Sequence, residues 1–133
     1  MTAQSCVPIK NEWDIVKARQ IGRNMARDIG FGTVDQARIA TAISELARNI
    51  YLYAVNGEIC FDKAAHSKPD GITIHSHDAG PGIASISEVM EDGYSTSGSL
   101  GAGLPGVKRL VDQFDIQSEE GKGTDIRAMK QLR

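Results

Sequence analysis

The chain of 133 residues is short of aromatics, at 5%, and carries two cysteines, four prolines and three histidines. With so few rings, any core has to close with aliphatic side chains. A net charge of −2 gives no strongly basic surface of the kind that nucleic acid or anionic lipid requires. No apolar run approaches the length of a membrane-crossing helix, and the opening MTAQSCVPIK does not read as a signal peptide. Cys6 and Cys60 show no metal-ligand spacing, and a bridge between them is the less favoured reading. The expectation is a reduced, cytoplasmic chain that forms one domain over 1–133. The histidines, His66, His75 and His77, fall in a loop and a strand.

Glycine is plentiful, at 14 residues, and hydrophobic residues make up 41% of the chain. Residues 4–11 alternate weakly, as an edge strand would, with Pro8 tolerated there. Ile15, Ala18, Ile21, Met25 and Ile29 have helical spacing and predict a helix over 13–29, stopped by Gly30 and Gly32. Thr33 and Gln36 resemble a capping box that opens a second helix through about Ala54. Its packing stripe is Ala37, Ala40, Ile43, Ser44, Ala47, Ile50, Tyr51 and Ala54. Strands are predicted at 58–62, 71–77, 113–118 and 124–130, a short helix at 85–91 and another from Leu104 to Val111. The polar stretch from Asp92 to Ser99 is expected to be mobile. Helices and strands come in separate blocks, which predicts an α+β two-layer sandwich: a mixed, mostly antiparallel sheet with helices on one face.

Four stretches could carry chemistry. In SELARN, Glu45 and Asn49 are four residues apart, so they project side by side from the second helix. They fall opposite the middle of the small-residue stripe, which suits a solvated face. The same pair would also suit a site for a hydrated cation and a hydroxyl to be deprotonated, since Mg²⁺ takes oxygen ligands and few protein groups. In HDAGPGI, Asp78 continues the parity of Ile72, Ile74 and Ser76, so a carboxylate enters the core-facing side at a strand end. That is either a polar turn or a slot for a flat heterocycle whose amine Asp78 accepts. In SGSLGAGLPGVKRL, glycines 98, 101, 103 and 106 run into a helix start, either as a flexible loop or as an anion cradle of backbone N–H groups. The GxxxxGK[ST] spacing of a P-loop is absent. In GKGTDIRAM, Thr124 shares parity with Ile126 and Ala128. It can line the same floor as Asp78 if their strands are neighbours.

The order of these motifs, E-x-x-x-N, D-x-G-x-G-I, G-x-G-L and G-T before a last strand, resembles the GHKL superfamily of ATP-binding domains, which includes gyrase, histidine kinases and MutL. SELARNIYLYA, MEDGYSTSGSLGAGLPGVKRL and NEWDIVKARQ look like the stressosome branch of the anti-sigma-factor-type serine kinases. The resemblance implies the GHKL (Bergerat) fold, ATP and Mg²⁺, and an enzyme that phosphorylates serine or threonine on another protein. It implies that Asn49 ligates Mg²⁺ and that Asp78 reads the adenine amine. Gly80, Gly82 and Ile83 would form the adenine slot, and Gly101, Gly103 and Leu104 the lid and helix start over the phosphates. Thr124 would support Asp78, and Glu45 matches the position of the general base. The implied partners are STAS-domain proteins of the RsbS and RsbR type, with a PP2C-type phosphatase of the RsbU type as an alternative partner. One departure is Leu52, where many histidine kinases carry Lys or Arg; Lys108 or Arg109 would then help to meet the phosphate charge. The competing reading is a binding module in which nucleotide controls docking without phosphotransfer.

Overall fold

The computed structural model describes residues 5–54, 56–63, 71–80 and 103–132. The helix expected at 85–91 and the loop expected at 92–99 lie outside them. Among the described residues eight elements follow in order: β1 (Ser5–Pro8), α1 (Glu12–Ile29), α2 (Thr33–Tyr53), β2 (Gly57–Lys63), β3 (Gly71–Asp78), α3 (Gly103–Leu110), β4 (Gln113–Glu119) and β5 (Gly123–Gln131). The sheet has five strands in the order β1-β2-β3-β5-β4, and each pairing is antiparallel. This is the α+β fold with helices against one sheet face. Among the described strands no parallel pair occurs, so the mixed sheet reduces to an antiparallel one.

Local chemistry explains where the helices begin and end. The Asn11 side chain accepts from the Asp14 N–H at 3.2 Å, and the Asp14 carboxylate accepts from the Asn11 N–H at 3.1 Å. That reciprocal pair is a capping box, and it starts α1. Gly30 ends α1 in the left-handed region at φ 119°, its N–H reaching the carbonyls of Ala26 and Arg27. The capping box expected at Thr33 and Gln36 is not formed. Thr33 is already helical, Gly32 is the N-cap without a side-chain bond, and the Gln36 amide instead donates to the Phe31 carbonyl at 2.8 Å.

The packing of α2 is broader than its small-residue stripe. Ile39, Ala42 and Leu46 are buried along with Ala40, Ile43, Ala47 and Ile50, whereas Ala37 and Tyr51 are exposed. The helix touches α1, α3 and the sheet together, so three directions of its surface are covered. On the inner sheet face Val7, Ile59, Phe61, Ile72, Ile74, Ile126 and Ala128 complete an aliphatic core. Each fully buried side chain of this size contributes roughly 1.5–3 kcal/mol. Lys130 continues that face at the far end of β5, where its ammonium lies 3.8 Å from Asp35 of α2.

Cys6 and Cys60 are the main departure from expectation. They are cross-strand partners in β1 and β2, with Cα atoms 4.0 Å apart, and a disulfide joins them. The 54-residue separation in sequence hid a register that the sheet supplies. The expectation of free thiols is corrected by this bridge.

Candidate functional site

At one end of the sheet a single row of inner-face positions crosses four strands. Gly57 of β2 is opposite Asp78 of β3, Asp78 is opposite Thr124 of β5, and Thr124 is opposite Ser118 of β4. The parity argument that placed Asp78 and Thr124 on one floor therefore holds, and they are directly paired. Thr124 is 9% exposed, and its hydroxyl is 2.8 Å from that of Ser118. Ser118 also donates to the Gly123 carbonyl at 3.0 Å. The two hydroxyls fix each other beside the carboxylate.

Asp78 is held by its own turn. Its Oδ1 accepts from the Gly80 N–H at 2.9 Å, which locks the side chain against the backbone that leaves β3. Three glycines crowd this point. A Cβ on Gly80 would sit 2.9 Å from both Cα and Cβ of Ala54 at the end of α2. A Cβ on Gly57 would come within 2.6 Å of the Ile50 side chain and 2.9 Å of the Asp78 Cβ. Gly123, at φ +118°, has its missing Cβ aimed at the Asp78 carbonyl oxygen. The end of α2, the end of β3 and the start of β5 thus meet at backbone distance around one carboxylate. Gly57, Gly123 and Ser118 were not recognised from sequence, because close approach between distant segments leaves no local pattern.

Glu45 and Asn49 stand on the same helix that ends at Ala54. Glu45 is only 5% exposed and Asn49 is half-buried, so neither lies on a solvated face. Their i, i+4 spacing keeps the side chains within about 5–6 Å at Cβ. Burial of a carboxylate costs free energy unless it is compensated, which makes Glu45 unlike the exposed acids of the chain. Gly103 opens α3 at φ 72°, and Leu104 is buried in its first turn with Pro105. Lys108 and Arg109 are exposed in the last turn of α3, and Leu52 is 44% exposed. Gly82, Ile83 and Gly101 lie outside the described residues. A separate groove of about 410 Å³ runs along Thr33, Val34, Ala37, Arg38, Thr41 and Leu110, and none of the site residues lines it.

A carboxylate in a glycine-tight slot, with a buried acid and a half-buried amide on the adjoining helix, forms one end of a two-layer sandwich of defined class. The chain belongs to the histidine kinase-like ATPase domain family, whose model matches residues 7–130, and domains of this class bind ATP. The GHKL resemblance read from motif order is borne out. Among known proteins, it is a homologue of the serine/threonine-protein kinase RsbT of Bacillus subtilis (strain 168), with 63% identity over 133 residues covering all of both chains. It is also 32% identical over 106 residues to the anti-sigma F factor of Clostridium botulinum (strain Alaska E43 / Type E3), covering 75% of this chain and 74% of that one. The anti-sigma F factor of Thermoanaerobacter sp. (strain X514) matches at 29% over 100 residues, covering 72% of this chain and 70% of that one. Among the described residues no helix is long and apolar enough to cross a membrane.

Proposed function

We propose that this chain, as one domain over 1–133, is a Mg-ATP-dependent protein serine/threonine kinase. It transfers the γ-phosphate to STAS-domain partners of the RsbS and RsbR type in a bacterial general stress response. It acts in the cytoplasm and exchanges those partners for a PP2C-type phosphatase of the RsbU type. The observation that carries the reading is the burial of Glu45 one helical turn from Asn49, on the helix whose end abuts the Asp78 slot. Full-length similarity to a serine/threonine-protein kinase supports it.

The slot fits a purine nucleotide. One oxygen of Asp78 is used by the Gly80 N–H, and the second is the acceptor for an exocyclic amine. The glycines let the end of α2, the end of β3 and the start of β5 close on one another, which fixes the Asp78 carboxylate at the end of the sheet. Thr124, fixed by Ser118, supports the polar end. By the family resemblance Gly82 and Ile83 would belong to the adenine site, and Gly101, with Gly103 and Leu104 of α3, to the phosphate site. Lys108 or Arg109 adds positive charge in place of the residue missing at Leu52. Asn49 would hold the magnesium ion, whose contribution is to neutralise phosphate charge and hold the phosphates in line. Glu45 takes the proton of the incoming serine or threonine hydroxyl. A helix places both groups more accurately than a loop would.

The rival is a nucleotide-dependent binding module that docks without phosphotransfer. Incubation with γ-labelled ATP and a STAS-domain acceptor separates the two. The kinase reading expects label on a serine or threonine of the acceptor, and tight docking with no label would favour the module.

A further inference from the structure

The outer face of the sheet, opposite the nucleotide slot, carries a second group of side chains with metal-binding chemistry. Cys6, Cys60 and His75 form one row in register across β1, β2 and β3. Glu58 precedes Cys60 by two residues on the same face and is paired with His77. The ligand atoms of Cys6, Glu58 and Cys60 all lie within 4.8 Å of one another. Two thiolates on one tetrahedral zinc ion, each at about 2.3 Å, sit roughly 3.8 Å apart. That spacing is within reach of side-chain rotation once the two sulfurs are no longer bonded.

His75 stands one strand spacing from Cys60, about 4.8 Å between backbones. Its Nε2 is 3.0 Å from Asp125 Oδ1, so Nδ1 is the nitrogen that would face a metal. His75 stands outside the 4.8 Å group of Cys6, Glu58 and Cys60, and its ring would have to move toward Cys60 to complete the set. A carboxylate on the far nitrogen is the arrangement that orients metal-bound histidines. Asp125 also meets His77 Nδ1 at 2.8 Å, so one carboxylate braces both rings. Burial tends to raise the Asp125 pKa, but hydrogen bonds and charge from His77 and His75 outweigh it and hold the carboxyl below its ordinary value.

We propose that reduced Cys6 and Cys60, together with Glu58 and His75, form a binding site for a thiophilic divalent cation of the zinc type. Two thiolates, an imidazole and a carboxylate make a closed four-ligand set that thiophilic metals prefer over Mg²⁺. The site and the disulfide are alternatives. A dithiol gives two electrons and two protons to the Cys6–Cys60 bridge and becomes a disulfide itself, leaving two thiols. Metal binding then releases those two protons as both sulfurs become thiolates. The site stands on the opposite sheet face from Asp78 and does not depend on the kinase reading.

The test uses the full chain, reduced with a dithiol and freed of it by gel filtration under nitrogen, without nucleotide. Titration with Co²⁺ should produce a thiolate-to-cobalt charge-transfer absorption that saturates at one ion per chain and is erased by Zn²⁺. The oxidised chain should show none. Cys6→Ser changes an exposed side chain, so the fold should persist by circular dichroism while the absorption collapses. His75→Asn and Glu58→Gln should each weaken binding at least about tenfold, and Asp125→Asn by about 10–100-fold, the cost of losing such a brace. The proposal is overturned if the reduced chain gives no charge-transfer absorption. It is equally overturned if the band survives Cys6→Ser, or if His75→Asn and Glu58→Gln leave the affinity unchanged.

Discussion

Asp78→Asn separates the two jobs of that side chain. The amide keeps a carbonyl oxygen, so the 2.9 Å bond from the Gly80 N–H survives and the turn after β3 stays formed. The second oxygen becomes an NH₂ donor, which cannot accept from an adenine amine and faces it donor to donor. A hydrogen bond to a charged acceptor contributes about 1.5–3 kcal/mol, so ATP affinity should fall roughly 10- to 150-fold. At a ligand concentration of about 100 Kd, wild-type stabilisation is about 2.7 kcal/mol. A 30-fold weaker site at that concentration keeps only about 0.9 kcal/mol. For a chain of this size the ligand-induced rise in Tm should therefore shrink by roughly 4–10 °C. The assay is thermal unfolding with and without Mg-ATP, backed by calorimetric titration. Inosine triphosphate, with a carbonyl where adenine has its amine, should lose nothing and should gain relative to ATP. Unchanged ATP affinity, or equal losses for ATP and inosine triphosphate, would refute the assignment of Asp78 to the purine.

Two further substitutions probe the surroundings of the slot. Gly123→Ala drives a methyl group toward the Asp78 carbonyl oxygen and forces an L-residue to φ +118°. It should cost roughly 2–4 kcal/mol by chemical denaturation and weaken ATP binding as well. Gly121→Ala, with φ +83° and no atom within 4 Å, should show only the backbone strain of about 1–2 kcal/mol and leave ATP affinity unchanged. If both alanines behaved alike, the crowding around Asp78 would not be what requires glycine at 123. Asn49→Ala should remove the Mg²⁺-dependent part of nucleotide affinity while metal-free binding in chelator stays at the wild-type level. Equal Mg-ATP affinity in variant and wild type would exclude Asn49 as a ligand.

Much of the fold was legible because its signals are local. Alternation placed Asp78 and Thr124 on the core side of their strands, and the structure pairs them directly. Gly30 was readable as a helix stop from its position after Ile29. Other features depend on contacts that no window of sequence contains. Thr33 and Gln36 had the spacing of a capping box, yet Gln36 turned to the Phe31 carbonyl, while Asn11 and Asp14 carried the box that formed. Glu45 read as opposite the packing stripe because a helical wheel assumes one covered side. α2 is covered by α1, α3 and the sheet, so the acid is buried. Gly57 and Gly123 carry no local signal of their role, because it is the sheet register that brings them against Asp78. Cys6 and Cys60 lacked ligand spacing along the chain but are direct neighbours across β1 and β2.

The proposed role of Glu45 is proton transfer and not nucleotide binding. Single-turnover transfer of labelled γ-phosphate to a STAS-domain acceptor, measured with Glu45→Gln, tests it most directly. Mg-ATP affinity and acceptor docking should stay near wild type, with transfer slowed by about 10²–10⁴-fold. Transfer at the wild-type rate would contradict it.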